Sequence, residues 1–398
     1  MAKNGTTLSI RLCDEYEPEK VERAVRSSIE DLGGIDKFVR KGVKVLVKPN
    51  LLMAKDVQKA VTTHPEIVRA VLATLADAGA ETVLADSPAL GAARSVARKA
   101  GILDVAEKFG VEVMTLSEPC RADSPETCTY KMLELSKEAL EAEVIVNLPK
   151  VKTHGAMTLT AGVKNLFGCV VGRAKTQWHL KAGRDAIAFA TMLVDIYATL
   201  KPALTVADAV IGMEGNGPGN GTPRKFGWIA SSSDAVALDR VAAEIMRIPV
   251  DLVYIMEAAR RAGVGETEID RIDIRGDSIE AARAAGGTDK RPMELPPKTM
   301  ERGAMGELLR RLFKRRMTPE PVVDNSICTR CGTCVGACPP QVMSLASIKK
   351  TKSGNYDTEV RIDRNGCIHC FCCQELCPEG AITIKTGSLA RLLSRPVD

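Results

Sequence analysis

Two cysteine runs in this chain share one spacing: Cys328-Thr-Arg-Cys331-Gly-Thr-Cys334-Val-Gly-Ala-Cys338-Pro339 and Cys367-Ile-His-Cys370-Phe-Cys-Cys373-Gln-Glu-Leu-Cys377-Pro378. Nine of the 13 cysteines of the 398-residue chain lie between residues 328 and 377. No apolar stretch of signal-peptide length opens the chain. The crowding therefore indicates metal binding rather than the disulfide framework of a secreted protein.

Loops of this length let three thiolates bind corners of one 4Fe-4S cubane, while the last cysteine of each run binds the other cluster. The spacing predicts a bacterial-type ferredoxin module, a small α+β domain, that handles low-potential electrons. We assign one cluster to Cys328, Cys331, Cys334 and Cys377, and a second to Cys367, Cys370, Cys373 and Cys338. The alternative, a zinc module, normally uses CxxC pairs rather than two interlocked runs.

Other cysteines fall outside this pattern. Cys372 is interpreted as a packed or surface thiol, with a ligand exchange with Cys373 as the alternative. His369 is either an exposed loop residue or a group that tunes the second cluster through a hydrogen bond. Four more show no paired spacing and are predicted to be buried thiols: Cys13, Cys120, Cys128 and Cys169.

The first part of the chain alternates helical and strand patterns, which predicts an α/β domain with a mostly parallel sheet flanked by helices. Residues 18–32 have helical apolar spacing, and 43–49 are typical of a strand. Thr63-His-Pro-Glu66 predicts the capped start of a helix over 66–78. Further strands are predicted at 81–85, 111–116, 143–148, 204–210, 227–231 and 269–274, and helices at 186–200, 234–248 and 252–262.

These patterns divide the chain into an α/β domain at 1–283, a basic linker at 284–320, the ferredoxin module at 321–386 and a tail at 387–398. The linker contains the basic stretch 308–316, whose apolar residues fall on one helical face, and the tail repeats this style. We interpret both as short helices packed on the module. Docking of an acidic redox partner or of an anionic membrane surface are the alternatives.

Composition excludes several classes of function. The net charge is +5 and aromatic residues make up 4%, without a basic stripe interleaved with aromatics, so we expect no nucleic acid partner. Uncharged apolar runs of transmembrane length are also absent from the sequence, and we predict a cytoplasmic protein. The loop 215–221 is glycine-rich but lacks a Walker A lysine, so it is either a ligand-wrapping loop or a plain surface loop.

Several predicted strands end in polar residues, which is where open α/β sheets bind ligands. One strand ends in Lys48-Pro-Asn50, another in Asp86-Ser-Pro88, and a third runs into Asn147-Leu-Pro-Lys150-Val-Lys152-Thr-His154. If the lysines converge, they form a cationic pocket for a carboxylate or phosphate. Predicted ligand-binding residues are Lys48, Asn50, Lys150, Lys152, Lys164, Asn165 and His179.

His154 is the predicted proton donor and Lys152 the predicted second catalytic residue. Lys150 and Lys152 are predicted to project from the turn where the sheet opens, and His154 follows two residues on, beside Gly155. Solvated surface lysines are the alternative. A metal site on His64, His154 and His179 is a further alternative, although the three histidines are dispersed along the chain.

Seven motifs follow one another along the first 240 residues: Val47-Lys-Pro-Asn-Leu51, Thr63-His-Pro-Glu66, Asp86-Ser-Pro88, the segment 147–154, Gly162-Val-Lys-Asn-Leu-Phe-Gly168, Glu214-Gly-Asn-Gly-Pro218 and Ser233-Asp-Ala-Val-Ala-Leu-Asp239. With this series the chain resembles the family called domain of unknown function 362. The resemblance implies a soluble, usually anaerobe-associated iron-sulfur protein, often with a trailing two-cluster ferredoxin domain. It supplies no reaction.

Three functions fit these patterns. In the first, two 4Fe-4S clusters pass electrons to an anionic substrate or cofactor held by the α/β domain, as in a ferredoxin-linked oxidoreductase. In the second, the chain is a non-catalytic electron-transfer adaptor that docks a partner enzyme. In the third, it is a maturation or cluster-delivery factor, for which Cys372 is the hint. The first two require a low-potential electron donor or acceptor protein as a partner.

Overall fold

A computed structural model describes residues 6–172, 174–297, 319–350 and 356–385, without the side chains of 348–350, 356 and 357. Its strands are β1 Thr6–Leu12, β2 Lys44–Pro49, β3 Glu81–Asp86, β4 Glu112–Thr115, β5 Pro119–Asp123, β6 Met132–Ser136, β7 Val144–Leu148, β8 Lys150–His154, β9 Thr158–Thr160, β10 Leu204–Glu214, β11 Thr222–Ser232, β12 Ile272–Gly276, β13 Glu320–Val323, β14 Met343–Lys350, β15 Tyr356–Ile362 and β16 Ile382–Lys385. Its helices are α1 Pro18–Glu30, α2 Pro65–Asp77, α3 Ala93–Lys99, α4 Ile102–Lys108, α5 Lys137–Leu140, α6 Gly162–Asn165, α7 Ala174–Ala182, α8 Ala186–Leu200, α9 Ala235–Ile245, α10 Tyr254–Ala262, α11 Ile279–Gly286, α12 Thr333–Ala337 and α13 Cys372–Glu375.

The large sheet has ten strands in the order β12-β1-β11-β10-β7-β2-β3-β4, and β8 and β9 branch from β10. Parallel pairing joins β4, β3, β2, β7 and β10, whereas β11 is antiparallel to both β10 and β1. The chain moves outward from β2 to β4 and then returns to β7 on the other side of β2. The carboxyl ends of β2 and β7 therefore form a switch point of the kind at which α/β sheets bind ligands.

Helices cover both faces of this sheet. On one face α1 and α2 bury Val21, Val25 and Ile67 against strand residues such as Val45 and Val146. On the other face α8 to α11 enclose a second core with residues such as Leu193. The fold class predicted from the sequence, a mostly parallel sheet flanked by helices, is confirmed.

The start of α2 shows how local sequence fixes an element beside the switch point. His64 is the N-cap, and its Nδ1 accepts a hydrogen bond of 3.1 Å from the backbone N–H of Glu66. Pro65 occupies the first helical turn, where its missing N–H costs nothing. Thr63 instead donates to Leu148 O at 2.6 Å, which ties the helix start to the end of β7.

Several elements were not predicted. The sequence patterns did not predict β1, the hairpin β5–β6 or the strand β8, and they placed Lys150 and Lys152 in a turn. That placement is wrong, because β8 pairs with β10 at Lys150↔Asp208 and with β9 at Lys152↔Thr160. Pro149 ends β7 without ending the extended chain, and its carbonyl accepts from Asp208 N at 2.9 Å.

The carboxyl-terminal module contains the antiparallel pairs β13–β16 and β14–β15 and the short helices α12 and α13. Its core consists of cysteines together with Met343, Val360, Ala381 and Ile382. A small α+β domain had been predicted here. No described helix combines the length and apolarity needed to span a bilayer.

The region between the two parts is described up to residue 297. Helix α11 crosses residue 283, where the basic linker was predicted to begin, and Met293 is buried in the α/β core. The basic stretch 308–316 and the tail 387–398 lie outside the described residues. The domain limits therefore stay predictions.

Candidate functional site

The structure brings the eight motif cysteines together in two groups. One cavity is lined by Cys328, Cys331, Cys334 and Cys377, and another by Cys338, Cys367, Cys370 and Cys373. Each group combines three cysteines of one run with the last cysteine of the other. Within the described residues no three His, Cys, Asp or Glu side chains converge on the position of a single metal ion. Four thiols around a cavity instead fit a cubane, whose irons are bound at separate corners.

The cysteines of the first group differ in their exposure to solvent. Cys331 is exposed and Cys328 half-buried, whereas Cys334 and Cys377 are buried. Two exposed apolar residues flank this end of the module: Ile327, which is 50% exposed, and Leu345, which is 43% exposed. The first group therefore reaches the protein surface.

The second cysteine run lies against the α/β domain. The side-chain amide of Gln374 donates to Asn216 O at 2.7 Å, and Asn220 Nδ2 donates back to Gln374 O at 3.0 Å. Arg184 Nε donates to Cys367 O at 3.1 Å, and Lys55 Nζ donates to Pro378 O. These contacts fix the cysteine-bearing loops on the α/β domain.

The glycine-rich loop at 215–221 supplies much of this contact. A Cβ on Gly219 would lie 2.7 Å from Glu375 O, and one on Gly217 would lie 2.3 Å from Thr153 O. Only glycine permits approach this close. The sequence was interpreted either as a ligand-wrapping loop or as a plain surface loop. The structure instead shows the loop packed against the cysteine module.

At the carboxyl ends of β2 and β7, amide side chains form a chain of hydrogen bonds. Asn50 Nδ2 donates to Asn165 Oδ1 at 2.9 Å, and Asn165 Nδ2 donates to Asn147 Oδ1 at 2.8 Å. Beside them the buried Lys48 forms a 2.7 Å ion pair with Asp86, which also accepts from Leu51 N at 2.8 Å. The strand ends are thus rigidly placed.

Lys150 lies away from this group. Its ammonium pairs with Asp208 at 2.7 Å, and donates to the Tyr16 hydroxyl at 2.9 Å and to Ile211 O at 2.8 Å. Burial lowers the pKa of Lys150, but the Asp208 carboxylate opposes that shift. These contacts occupy its donors, and we do not retain Lys150 in the ligand site proposed below.

Lys152 is also buried. Its ammonium donates to Asn50 Oδ1 at 2.7 Å and to Val61 O at 2.6 Å. Burial lowers its pKa to about 7. Lys152 therefore positions Asn50 rather than facing an open space.

His154 contacts the cysteine module. Its Nδ1 accepts from the backbone N–H groups of Ala156 and Met157 at 3.0 and 3.2 Å, so the proton of the neutral ring resides on Nε2. Glu375 Oε2 lies 3.5 Å from that Nε2. Burial lowers the pKa of His154 to about 4, so the ring is neutral at pH 7.

A cavity of about 640 Å³ separates the strand ends from the cysteine module. From the α/β side it is lined by Lys48, Asn50, Asp86, Lys164, Asn165, Lys175 and His179, among others. From the module it is lined by residues of α12 and by Cys372, Glu375 and Leu376. The structure thus brings together five of the seven predicted ligand-binding residues, and Lys150 and Lys152 are not among its lining.

Three lysines line the cavity, and Lys48 is paired with Asp86. Among the described residues, neither Lys164 nor Lys175 has a carboxylate within ion-pairing distance. Lys175 donates to Ser87 O. Burial lowers the pKa of Lys175 to about 8 and also lowers the pKa of Lys164. His179 stacks on Phe189 at 4.6 Å, and burial lowers its pKa to about 4.

Sequence reasoning missed Lys175, Glu375 and Cys372 as lining residues. Lys175 lies on α7, which carries no recognisable motif, and Glu375 lies within a cysteine run, where its neighbours dominate the pattern. Cys372 is buried, as one interpretation predicted, and so are Cys13, Cys128 and Cys169. Cys120 is half-exposed, unlike the prediction, because it lies on the two-stranded hairpin β5–β6 outside the large sheet.

One similar solved structure is the lactate racemase apoprotein from Thermoanaerobacterium thermosaccharolyticum, with a TM-score of 0.39 and 13% sequence identity. The match covers 59% of this chain and 56% of that chain. A similarity this low carries no argument about function.

Sequence comparisons are closer. A thylakoid-associated protein of Synechocystis sp. is 38% identical over 261 residues, which are 66% of this chain and 81% of the relative. A 4Fe-4S dicluster domain matches residues 320–378, which supports an iron-sulfur electron-transfer role. The family described as domain of unknown function (DUF362) matches residues 45–244. The resemblance inferred from the sequence motifs is confirmed, and the chain belongs to this DUF362 family.

Proposed function

We propose that this protein is an iron-sulfur oxidoreductase that passes electrons to an anionic molecule bound in the cavity between the α/β domain and the cysteine module. The observation that carries the proposal is the composition of this cavity. One wall presents Lys164 and Lys175, and the other is built from the segments that carry the cysteines.

The cysteine groups fit two 4Fe-4S clusters, each of which exchanges one electron at a time. Cys334 lies on α12, whose residues Thr333, Gly336 and Ala337 line the cavity. Cys372 lines it as well and is adjacent to Cys373 of the second group. Segments that adjoin both cysteine groups therefore line the cavity.

We assign binding of the anion to Lys164 and Lys175, with the Asn50 amide as a hydrogen-bonding neighbour. Asn165 instead holds Asn50 in place, because its own N–H groups donate to Asn147 Oδ1 and to Lys48 O. The pair of Lys48 with Asp86 holds the adjoining turn, since Asp86 accepts from Leu51 N. Because His154 and Lys152 do not line the cavity, we revise their roles to positioning residues. His154 faces Glu375, and Lys152 holds Asn50.

The exposed end of the first cysteine group favours this group as the point of electron exchange with a partner protein. Cys331 is exposed there, whereas in the second group Cys367 and Cys370 are half-buried and the run contacts the α/β domain. The same surface would serve the alternative function, a non-catalytic electron-transfer adaptor. Cys372 is buried, so we do not pursue the cluster-delivery alternative. A cytoplasmic location stays a prediction.

One experiment separates enzyme from adaptor. Protein reconstituted anaerobically is reduced with dithionite, freed of excess reductant and exposed to small-molecule extract of the source cells. Cluster reoxidation followed in the visible spectrum is expected with wild type and with Lys225→Met, a control lysine that is 54% exposed. Lys164→Met should slow it while leaving dithionite reduction normal. Reoxidation only by a protein fraction, unchanged in Lys164→Met, would favour the adaptor.

A further inference from the structure

The cavity between the two parts of the protein has an apolar region beside its lysines. Leu51, Leu52, Leu90 and Phe167 line it from the α/β side, and Pro339 and Leu376 line it from the cysteine module. Leu51 is fully buried, while Leu52, Leu90 and Phe167 are half-buried, so the latter keep surface facing the open space.

The size of the cavity excludes a simple inorganic ion as a well-fitting occupant. Its volume of about 640 Å³ lies within the roughly 300–1,000 Å³ of sites for drug-sized ligands. A phosphate or sulfate beside Lys164 would leave the leucines and Phe167 in contact with water. A ligand that covers these side chains gains binding free energy, because their apolar surface is removed from water.

The charges in the lining restrict the occupant further. The charges of Lys48 and Asp86 cancel at 2.7 Å. Glu375 also lines the cavity, and its carboxylate opposes an anion. Lys164 and Lys175 therefore remain as the lysines of the lining that an anionic head group would contact.

We propose that the cavity binds an amphipathic anion, a carboxylate or phosphate ester with an apolar body, whose head group contacts Lys164 and Lys175 and whose body covers Leu52, Leu90 and Phe167. This inference rests on the proposed function in that it concerns the same cavity, but it does not require electron transfer to the bound molecule. The shared chemistry belongs equally to an aliphatic acid and to a planar aromatic acid. The two sources are distinguished by the probes below.

The test is calorimetric titration of the anaerobically reconstituted full-length protein with four probes: octanoate, 2-naphthoate, inorganic phosphate and 1-octanol. We expect one site per chain for at least one of the two amphipathic acids. Inorganic phosphate and 1-octanol should bind at least about tenfold more weakly, because each makes only one of the two kinds of contact. The acid that binds more tightly shows whether the apolar body of the ligand is aliphatic or planar aromatic.

Variants assign the contacts. Lys164→Met should weaken binding of the preferred acid about 10- to 100-fold, the effect of losing a charge-assisted contact. Leu90→Ser should weaken binding of the acid without changing binding of phosphate. The substitution should not disturb the fold, since Leu90 is half-buried in a loop outside the α/β core. The control Lys225→Met should bind as wild type does.

Three results would overturn the inference: phosphate binding as tightly as both acids, octanol binding as tightly as octanoate, or no probe binding at all. Failure of the proposed function looks different. If an acid binds as expected but no small molecule from cell extract reoxidises the reduced protein, the ligand class stands and the oxidoreductase proposal fails.

Discussion

The affinity of the cavity for an anion should fall as pH rises through about 8, because burial lowers the pKa of Lys175 to about 8. The sign follows from the lysine: its charged form, which attracts the anion, is present below this pKa and is lost above it. Roughly 90% of Lys175 is charged at pH 7 and roughly 10% at pH 9. A contact that requires the charged form therefore weakens about tenfold over that interval.

Lys164 acts in the same direction, because burial lowers its pKa as well. The neutral amine still donates hydrogen bonds, so its contact is weakened rather than abolished. Since the bound anion favours the charged lysine, binding near pH 8 should take up about half a proton per ligand.

The assay is calorimetric titration of the preferred amphipathic acid at pH values from about 6.5 to 9.5. Two buffers with different ionisation enthalpies reveal the proton uptake. Lys175→Met should lower the affinity at pH 7 and flatten its pH dependence, whereas Lys225→Met should change neither. An affinity that is constant or rises with pH in wild type, or an identical slope in Lys175→Met, would refute this assignment of the anion contact.

Three further predictions concern the framework of the site. Cys338→Ser should damage the cluster of the second run, leaving the spectrum of the cluster on Cys328, Cys331 and Cys334 intact; damage to the latter would contradict the crossed assignment. Lys150→Met should lower the free energy of unfolding by about 3–5 kcal/mol, since the buried Asp208 loses its counter-charge and keeps only its hydrogen bonds from Tyr16 and His64 N; chemical denaturation measures this directly. Gly219→Ala should loosen the cysteine module, because its Cβ meets Glu375 O at 2.7 Å; faster proteolysis between the two parts is the expected readout, and an unchanged rate would contradict it.

The sequence predicted the features that depend on local spacing. The interval between cysteines determines which thiols share a loop, and the structure places Cys377 beside the first run and Cys338 beside the second. The assignment of these cysteines as cluster ligands stays a prediction. Strand ends at Lys48 and Asn147 were also predictable, because an apolar run that turns polar marks the edge of a buried sheet.

The contacts of the site were not predictable in the same way. Lys150 was expected to bind a ligand, but its partner Asp208 lies 58 residues away and no local pattern connects the two. Glu375 reaches His154 only because the cysteine module packs on the glycine-rich loop. The charge balance of the cavity depends on this packing, and a single sequence does not reveal it.

Electron transfer to a ligand in this cavity is tested by anaerobic purification of the protein, release of any small molecule that it carries, and addition of that molecule to dithionite-reduced protein. We expect an anionic compound that reoxidises the clusters in wild type and does so more slowly in Lys164→Met. A released compound that binds without reoxidising the clusters, or equal rates in wild type and Lys164→Met, would contradict electron transfer to a ligand in this cavity.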